Sequence, residues 1–266
     1  MFDQVEGLTP KSYGMAWAFS RAFREICVLH DIACEVGYDV GELSALSQRV
    51  ARTVQAPFRD ISADIMWVVC LKNAMPVMIQ AFRCDMITDL HDYVAGEFVQ
   101  SFYPEAIFDH DAIRAPRARG IGGRVVYQGE FWLDNKLRFS HTFAGGNAAL
   151  FCLFGFALCL QRWPFDYLYA ITRKEVALRV TAWGISVVQP DFLCWHVPPK
   201  DTPKREWLAM ASQPDAEFRV GHGLQYVHAM LAPARLMSRS SNNQLAAAPA
   251  NKAPIPAHDT NSLAFA

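Results

Sequence analysis

Between Gly123 and Trp195 the chain runs strand, glycine-bearing loop, long apolar helix, strand, helix, strand. Few architectures accept that order. The first strand, GRVVYQGEFWL (Gly123–Leu133), alternates in the two-residue period of a pleated surface. Asp134–Gly146 follows as a loop ending in two glycines, and Asn147–Trp163 reads as a helix whose centre carries no charge. Phe165–Ile171 is a second strand, Arg173–Gly184 a second helix and Ile185–Trp195 a third strand. Passing from one strand to the next through a single long helix is a βαβ crossover, which makes the two strands parallel neighbours.

The rest of the chain reads as support for this unit. Tyr13–Ile32 repeats apolar residues at three- and four-residue steps (Met15, Phe19, Phe23, Ile26, Cys27), the pattern of an amphipathic helix. Val40–Val54 is a second helix, ended by Pro57. Asp64–Lys72 and Met75–Ile87 are apolar runs separated by Asn73–Ala74, which predicts a β-hairpin. Asp89–Phe102 is a helix closed by Pro104, and Glu105–Gly122 is an aperiodic excursion. Beyond Trp195, Pro198–Pro203 is a loop, Arg205–Ser212 a short helix, and Gly223–Leu231 a helix that Pro233 ends. From Ser238 the composition turns to Ser, Asn, Ala and Pro, too polar to offset its ordering entropy, and predicts a disordered tail over 238–266. The expected organisation is therefore one α/β domain over 1–237, with a helical part over 1–63, a core sheet over 64–196 and C-terminal helices over 197–237. A hairpin feeds its mixed sheet.

Bulk properties exclude several functions. A net charge of −1 leaves no electrostatic footprint for nucleic acid. The 7 cysteines lie mostly in apolar runs, with no CxxC pair and no zinc spacing, so the sequence reads as a cytoplasmic protein with reduced thiols and no metal. The opening MFDQVEGLTPK has acids and no apolar core, so no signal peptide is expected. The uncharged run Phe143–Leu160 shrinks to Ala148–Cys159 once its glycines are read as loop, which suits a buried core helix and falls short of a membrane span.

Two places carry chemistry. In the Gly123–Leu133 strand, alternation puts Glu130 on the face of Gln128, near the carboxyl end where open α/β sheets bind ligands. A carboxylate flanked by Phe131 and Trp132 suits a general base of raised pKa. In Phe143–Ala148 (FAGGNA), glycines before a helix leave free N–H groups at a positive dipole end, a cradle for a phosphate. Arg117–Gly122 (RARGIG) matches a glycine-rich phosphate pattern more literally, but a strand follows it rather than a helix, so it reads as a turn. Among other classes, Ser140 and Thr142 lie in no hydrolase elbow, and no dinucleotide fingerprint or Walker A sequence occurs. His141, His196, His222 and His228 have no partner at metal spacing.

This element order resembles the GNAT (acyl-CoA N-acyltransferase) superfamily over about Asp64–Trp195. Gly146 and Ala148 stand where that family's phosphate loop, Gln/Arg-x-x-Gly-x-Gly/Ala, has small residues, and Trp183-Gly184-Ile185 resembles the ending of its second helix. The resemblance implies a mostly antiparallel sheet with a central parallel pair splayed around a donor cleft and helices on both faces. It implies a donor, acetyl-CoA or a longer acyl-CoA or an acyl carrier protein, whose pantetheine lies between the splayed strands. Phe131, Trp132 and Leu133 would pair with the pantetheine amides, Gly145, Gly146, Asn147 and Ala148 would hold the pyrophosphate, and Glu130 would deprotonate a small-molecule or peptide amine. The apolar content leaves room for a long acyl chain, as in an N-acyl amino acid synthase or an autoinducer synthase. Two positions depart from the family: Phe143 replaces its basic or amide residue, and Val180 stands where it commonly has the Tyr that acts as acid. Those departures would suit a catalytically silent scaffold.

Overall fold

The computed structural model describes residues 10–60, 62–109, 117–135, 147–180, 185–199 and 202–246. In it α1 (Pro10–Leu29) leads to β1 (Ile32–Gly37) and α2 (Val40–Gln48), then to a 3-10 turn (Ala56–Phe58). The hairpin β2 (Asp64–Lys72) and β3 (Met75–Ile87) turns through Asn73 and Ala74, both at positive φ. Two such residues give the turn whose twist matches its strands. A helical stretch follows in three pieces, α3 (Leu90–Tyr93), a π segment (Val94–Phe98) and α4 (Val99–Phe102), capped by the Asp89 carboxylate. Next come β4 (Ile107–Phe108), β5 (Gly123–Leu133), α5 (Asn147–Arg162), β6 (Tyr167–Thr172), α6 (Lys174–Val180), β7 (Val187–Val197), β8 (Arg205–Ser212) and α7 (Gln213–Ala246).

Eight strands form one sheet in the order β1-β2-β3-β5-β6-β8-β7-β4. Every neighbouring pair is antiparallel except β5–β6, the parallel pair that the crossover requires. The class is thus mixed α/β with a mostly antiparallel sheet and helices on both faces, as expected. One face is covered by α1, α5 and α7. The other carries α2, the 3-10 turn and the α3–α4 stretch.

Four sequence expectations need correction. Helix α2 stops at Gln48 rather than at Val54, and Ala51 at φ 54° turns the chain away. Ile32 opens an edge strand instead of closing a helix: Asp31, in the left-handed region at φ 58°, stops α1 and turns the chain. Arg205–Ser212 is a strand between β6 and β7, not a helix, because Leu208 and Met210 enter one core while Ala209 and Ala211 enter the other. Helix α7 runs through Pro233, which is exposed and forfeits one backbone hydrogen bond without ending the helix. Its backbone stays helical to Ala246, and 247–266 lie outside the described residues.

The uncharged helix α5 is the centre of the first core. Phe151, Phe154, Phe156, Cys159 and Leu160 are fully buried, because α5 is packed by the sheet on one side and by α1 and α7 on the other. That enclosure explains its apolar circumference. No helix among the described residues is long and apolar enough to cross a membrane. Gly155 lets α5 sit close on β3: a Cβ there would lie 2.4 Å from the Phe82 ring and 2.6 Å from Gln80 Oε1. Gln80 cannot swing away, since its amide donates to the Phe151 carbonyl at 2.6 Å and Gln128 donates to its oxygen at 3.2 Å. Overpacking of about 1–3 kcal/mol therefore outweighs a helix-propensity gain of about 1 kcal/mol. Gly155→Ala should lower stability in urea unfolding, and a more stable variant would contradict this close approach.

Candidate functional site

Strands β5 and β6 pair over only three residues, Val125 with Tyr167, Val126 with Leu168 and Tyr127 with Tyr169. Beyond that rung β5 continues to Leu133 beside β3, while β6 continues to Thr172 beside β8. The parallel pair therefore opens into a fork at its carboxyl ends. A cavity of about 340 Å³ fills the fork, between Gly129–Phe131 on one lip and Ala170–Thr172 on the other. Ala148 and Cys152 of α5 and Val176 and Arg179 of α6 close one side, and Gln55 closes the other.

Glu130 sits on the β5 lip in a bulge. Gly129 pairs with Ala81 and Trp132 with Ile79, so two β5 residues, Glu130 and Phe131, oppose the single Gln80. Glu130 takes up the extra residue at φ 51°. The bulge reverses the alternation expected from sequence. Val126 and Gln128 face the α5 side, but Glu130 turns with Gly129 toward the opposite face, so it does not share a face with Gln128. Phe131 and Leu133 then return to the α5 side, and Trp132 packs in the other core.

The Glu130 side chain is buried and held asymmetrically. Its Oε1 accepts the backbone N–H of Gln55. Its Oε2 has no hydrogen-bond partner and faces Arg52 Nη2 at 3.7 Å, an ion pair too long for a hydrogen bond. Burial pushes the carboxyl above its ordinary range, against the opposing pull of the Gln55 N–H and Arg52. The segment that presents Gln55 is itself pinned. Arg83, buried and with its Nε–H shared between both Asp85 carboxylate oxygens, donates through Nη1 to the Pro57 carbonyl at 3.1 Å, and Phe58 stacks on Tyr127 at 5.6 Å. Gly129 permits this, because a Cβ would lie 2.5 Å from the Phe58 ring.

A second cavity, of about 790 Å³, opens on the Gln55 side of the sheet. It shares Gln55, Tyr127 and Ile171 with the first, so the two meet at the fork. Arg52, Arg59 and Arg173 line it with Glu206, Tyr103 and Trp195. The Glu206 carboxylate accepts Trp195 Nε1–H at 2.9 Å, and burial pushes it from its ordinary 4.5 to about 7. The folded state therefore holds this proton more tightly than the unfolded chain between those values. Stability should decline as pH rises from about 4.5 to about 7 and then level off. Glu206→Gln should flatten that slope by about 1–3 kcal/mol in unfolding measured across the window; an unchanged slope would remove Glu206 as its source.

Of the residues singled out in the sequence, Glu130, Phe131 and Ala148 line the fork. Trp132 and Leu133 are on the same lip but pack into the two cores. Asn147 begins α5, and Gly145, Gly146, His141 and Phe143 lie outside the described residues. Val180 ends α6. The turn reading of Arg117–Gly122 agrees with its place: Gly120 has φ 74° and its N–H donates to Asp89, at the other end of β5 from the fork. The sequence reading missed Arg52, Gln55, Tyr127 and Glu206, which come from separate segments that only the fold brings together.

No family model matches the chain, and no curated protein matches it. Solved structures do. One is FeeM, an N-acyl amino acid synthase from uncultured soil microbes, at 10% identity and a TM-score of 0.39, covering 70% of this chain and 92% of that one. Another is ElaA of Escherichia coli, at 15% identity and a TM-score of 0.36, covering 68% and 99%. A third is the polyamine N-acetyltransferase of Drosophila melanogaster, at 13% identity and a TM-score of 0.41, covering 68% and 100%.

Proposed function

We propose that the protein is an acyltransferase that moves an acyl group from a thioester donor to an amine. The observation that carries this reading is the fork itself: two parallel strands that part beside a buried carboxylate, with a cavity on each side of the sheet. A slender, amide-bearing chain such as pantetheine fits the smaller cavity, whose walls are mostly apolar and whose lips are strand backbone. Its donor would be acetyl-CoA, a longer acyl-CoA or an acyl carrier protein. Phe131, Trp132 and Leu133 would offer it backbone groups, and the N-terminus of α5 at Asn147 and Ala148, with the preceding Gly145 and Gly146, would receive the pyrophosphate. Arg179 adds positive charge at that cavity.

The amine of a small molecule or peptide would enter from the larger cavity. Its nitrogen attacks the thioester carbonyl carbon, Glu130 Oε2 takes the proton, and the C–S bond breaks. Tyr127 brings a phenol hydroxyl to the fork, donating to Gln55 Oε1 at 3.3 Å. Burial holds its phenol well above the ordinary range, so it keeps its proton and is a poor acid. With Val180 at the family's Tyr position, the thiolate leaves without a protein acid, which a thiol ionising near 8.5 tolerates.

A titration of acyl-CoA chain lengths tests the donor site. A donor at 100 times its Kd should stabilise the fold by about 2.7 kcal/mol, seen as a rise in melting temperature. No rise with acetyl-, medium- or long-chain acyl-CoA would sink the proposal. A rise without acyl transfer to any amine would favour the second reading, a silent ligand-binding scaffold. That reading draws on the clamp between Glu130 and the Gln55 N–H, which also serves to hold the 52–58 segment on the sheet.

A further inference from the structure

The face of the sheet under α1 carries a second constellation, remote in sequence and unrelated to the fork. Cys34 of β1 and Cys70 of β2 are direct cross-strand partners, with their sulfurs 3.1 Å apart. Cys27, in the last turn of α1, points its thiol at the same place, and all three Sγ atoms lie within 4.8 Å of one another. Spacing in the sequence could not show this, because the three come from a helix, an edge strand and its neighbour. We propose that Cys27, Cys34 and Cys70 form a three-coordinate site for a soft, thiophilic metal ion, monovalent copper in the first instance.

Size, donor chemistry and surroundings support that assignment. Metal–sulfur bonds of about 2.3 Å place the corners of a trigonal site about 4 Å apart. The Cys34–Cys70 edge opens by about 1 Å to reach that size, and all three sulfurs already lie within 4.8 Å of one another. Among the described residues the group consists of three sulfurs, with no imidazole or carboxylate to complete the four-coordinate shell that structural zinc demands. Three soft ligands without a fourth suit monovalent copper. Cys27 and Cys70 are buried, and Cys34 is half-buried on the edge strand, which provides a route of entry. Arg24, one turn before Cys27, donates to the Cys34 carbonyl at 2.8 Å and sets a positive charge beside the anionic complex. Binding displaces thiol protons to solvent and ties the end of α1 to the β1–β2 edge.

The test uses the reduced full-length protein, titrated anaerobically with Cu(I) against a competing colorimetric Cu(I) chelator. One equivalent should be retained, X-ray absorption should show a first shell of three sulfurs, and the melting temperature should rise. Cys34→Ser should weaken retention at least about tenfold, while Cys84→Ser and Cys194→Ser should leave it unchanged. Complete loss of copper to the competitor, a shell of fewer than three sulfurs, or a Cys34→Ser protein that binds like the parent would each overturn the proposal. If the fully buried Cys27→Ser or Cys70→Ser variants fail to fold, the absorption spectrum of the unaltered protein still decides.

Discussion

Glu130→Gln should lower turnover by about two to four orders of magnitude, with donor affinity nearly unchanged. The substitution preserves shape, and the amide oxygen can still accept the Gln55 N–H. It removes the charge and the proton-accepting lone pair at Oε2, the atom that has no hydrogen-bond partner. Stability should not fall with activity. Burial raises the folded pKa of Glu130 above its unfolded value, so ionising it at neutral pH opposes folding, and a neutral amide relieves that cost. Arg52 is more than one-third exposed and is solvated when its partner goes. The parent's rate should climb with pH as Glu130 loses its proton, and the variant should lack that limb. Turnover equal to the parent's, or a change in KM alone, would remove Glu130 as the base.

Phe154→Ala should destabilise the fold by about 3–5 kcal/mol. Phe154 is fully buried on α5 and stacks on Phe23 of α1, with ring centroids 4.7 Å apart and planes at 28°. The Arg24 guanidinium lies 5.4 Å from its ring centre. Truncation leaves a cavity between two helices and a sheet that other side chains already fill, so collapse can recover little. Urea unfolding with an unchanged m-value is the measurement. A loss under about 1 kcal/mol would mean that the seam between α1 and α5 is not packed as described.

The parts of this fold that were legible in sequence are those whose pattern is local. The hairpin shows as two apolar runs around Asn73–Ala74, and β5 as an alternating strand whose bounds the structure reproduces. Strand β8 was hidden because Leu208, Ala209, Met210 and Ala211 all favour helix and are all apolar. Its alternation lies in which core receives a large side chain and which a small one, a difference that only the neighbours β6 and β7 create. Strand β1 was hidden by continuity, since Ile32 extends the apolar period of α1 past the residue that ends it. At the candidate site, the strand period brings Glu130 to the carboxyl end of β5 but sets it on the wrong face. A bulge leaves no mark in the period of its own strand; it depends on the register against Gln80. Arg52, Gln55 and Glu206 carry no motif and become a site only by convergence.

The short ladder between β5 and β6 also has a mechanical consequence. Three rungs join the two halves of the sheet, against nine between β3 and β5 and six between β6 and β8. Of these three seams it is the one that can pivot with the least loss of main-chain bonding. A rotation about the Tyr127–Tyr169 rung would widen or narrow the two cavities together, because both are lined by Tyr127 and Ile171 at that fork.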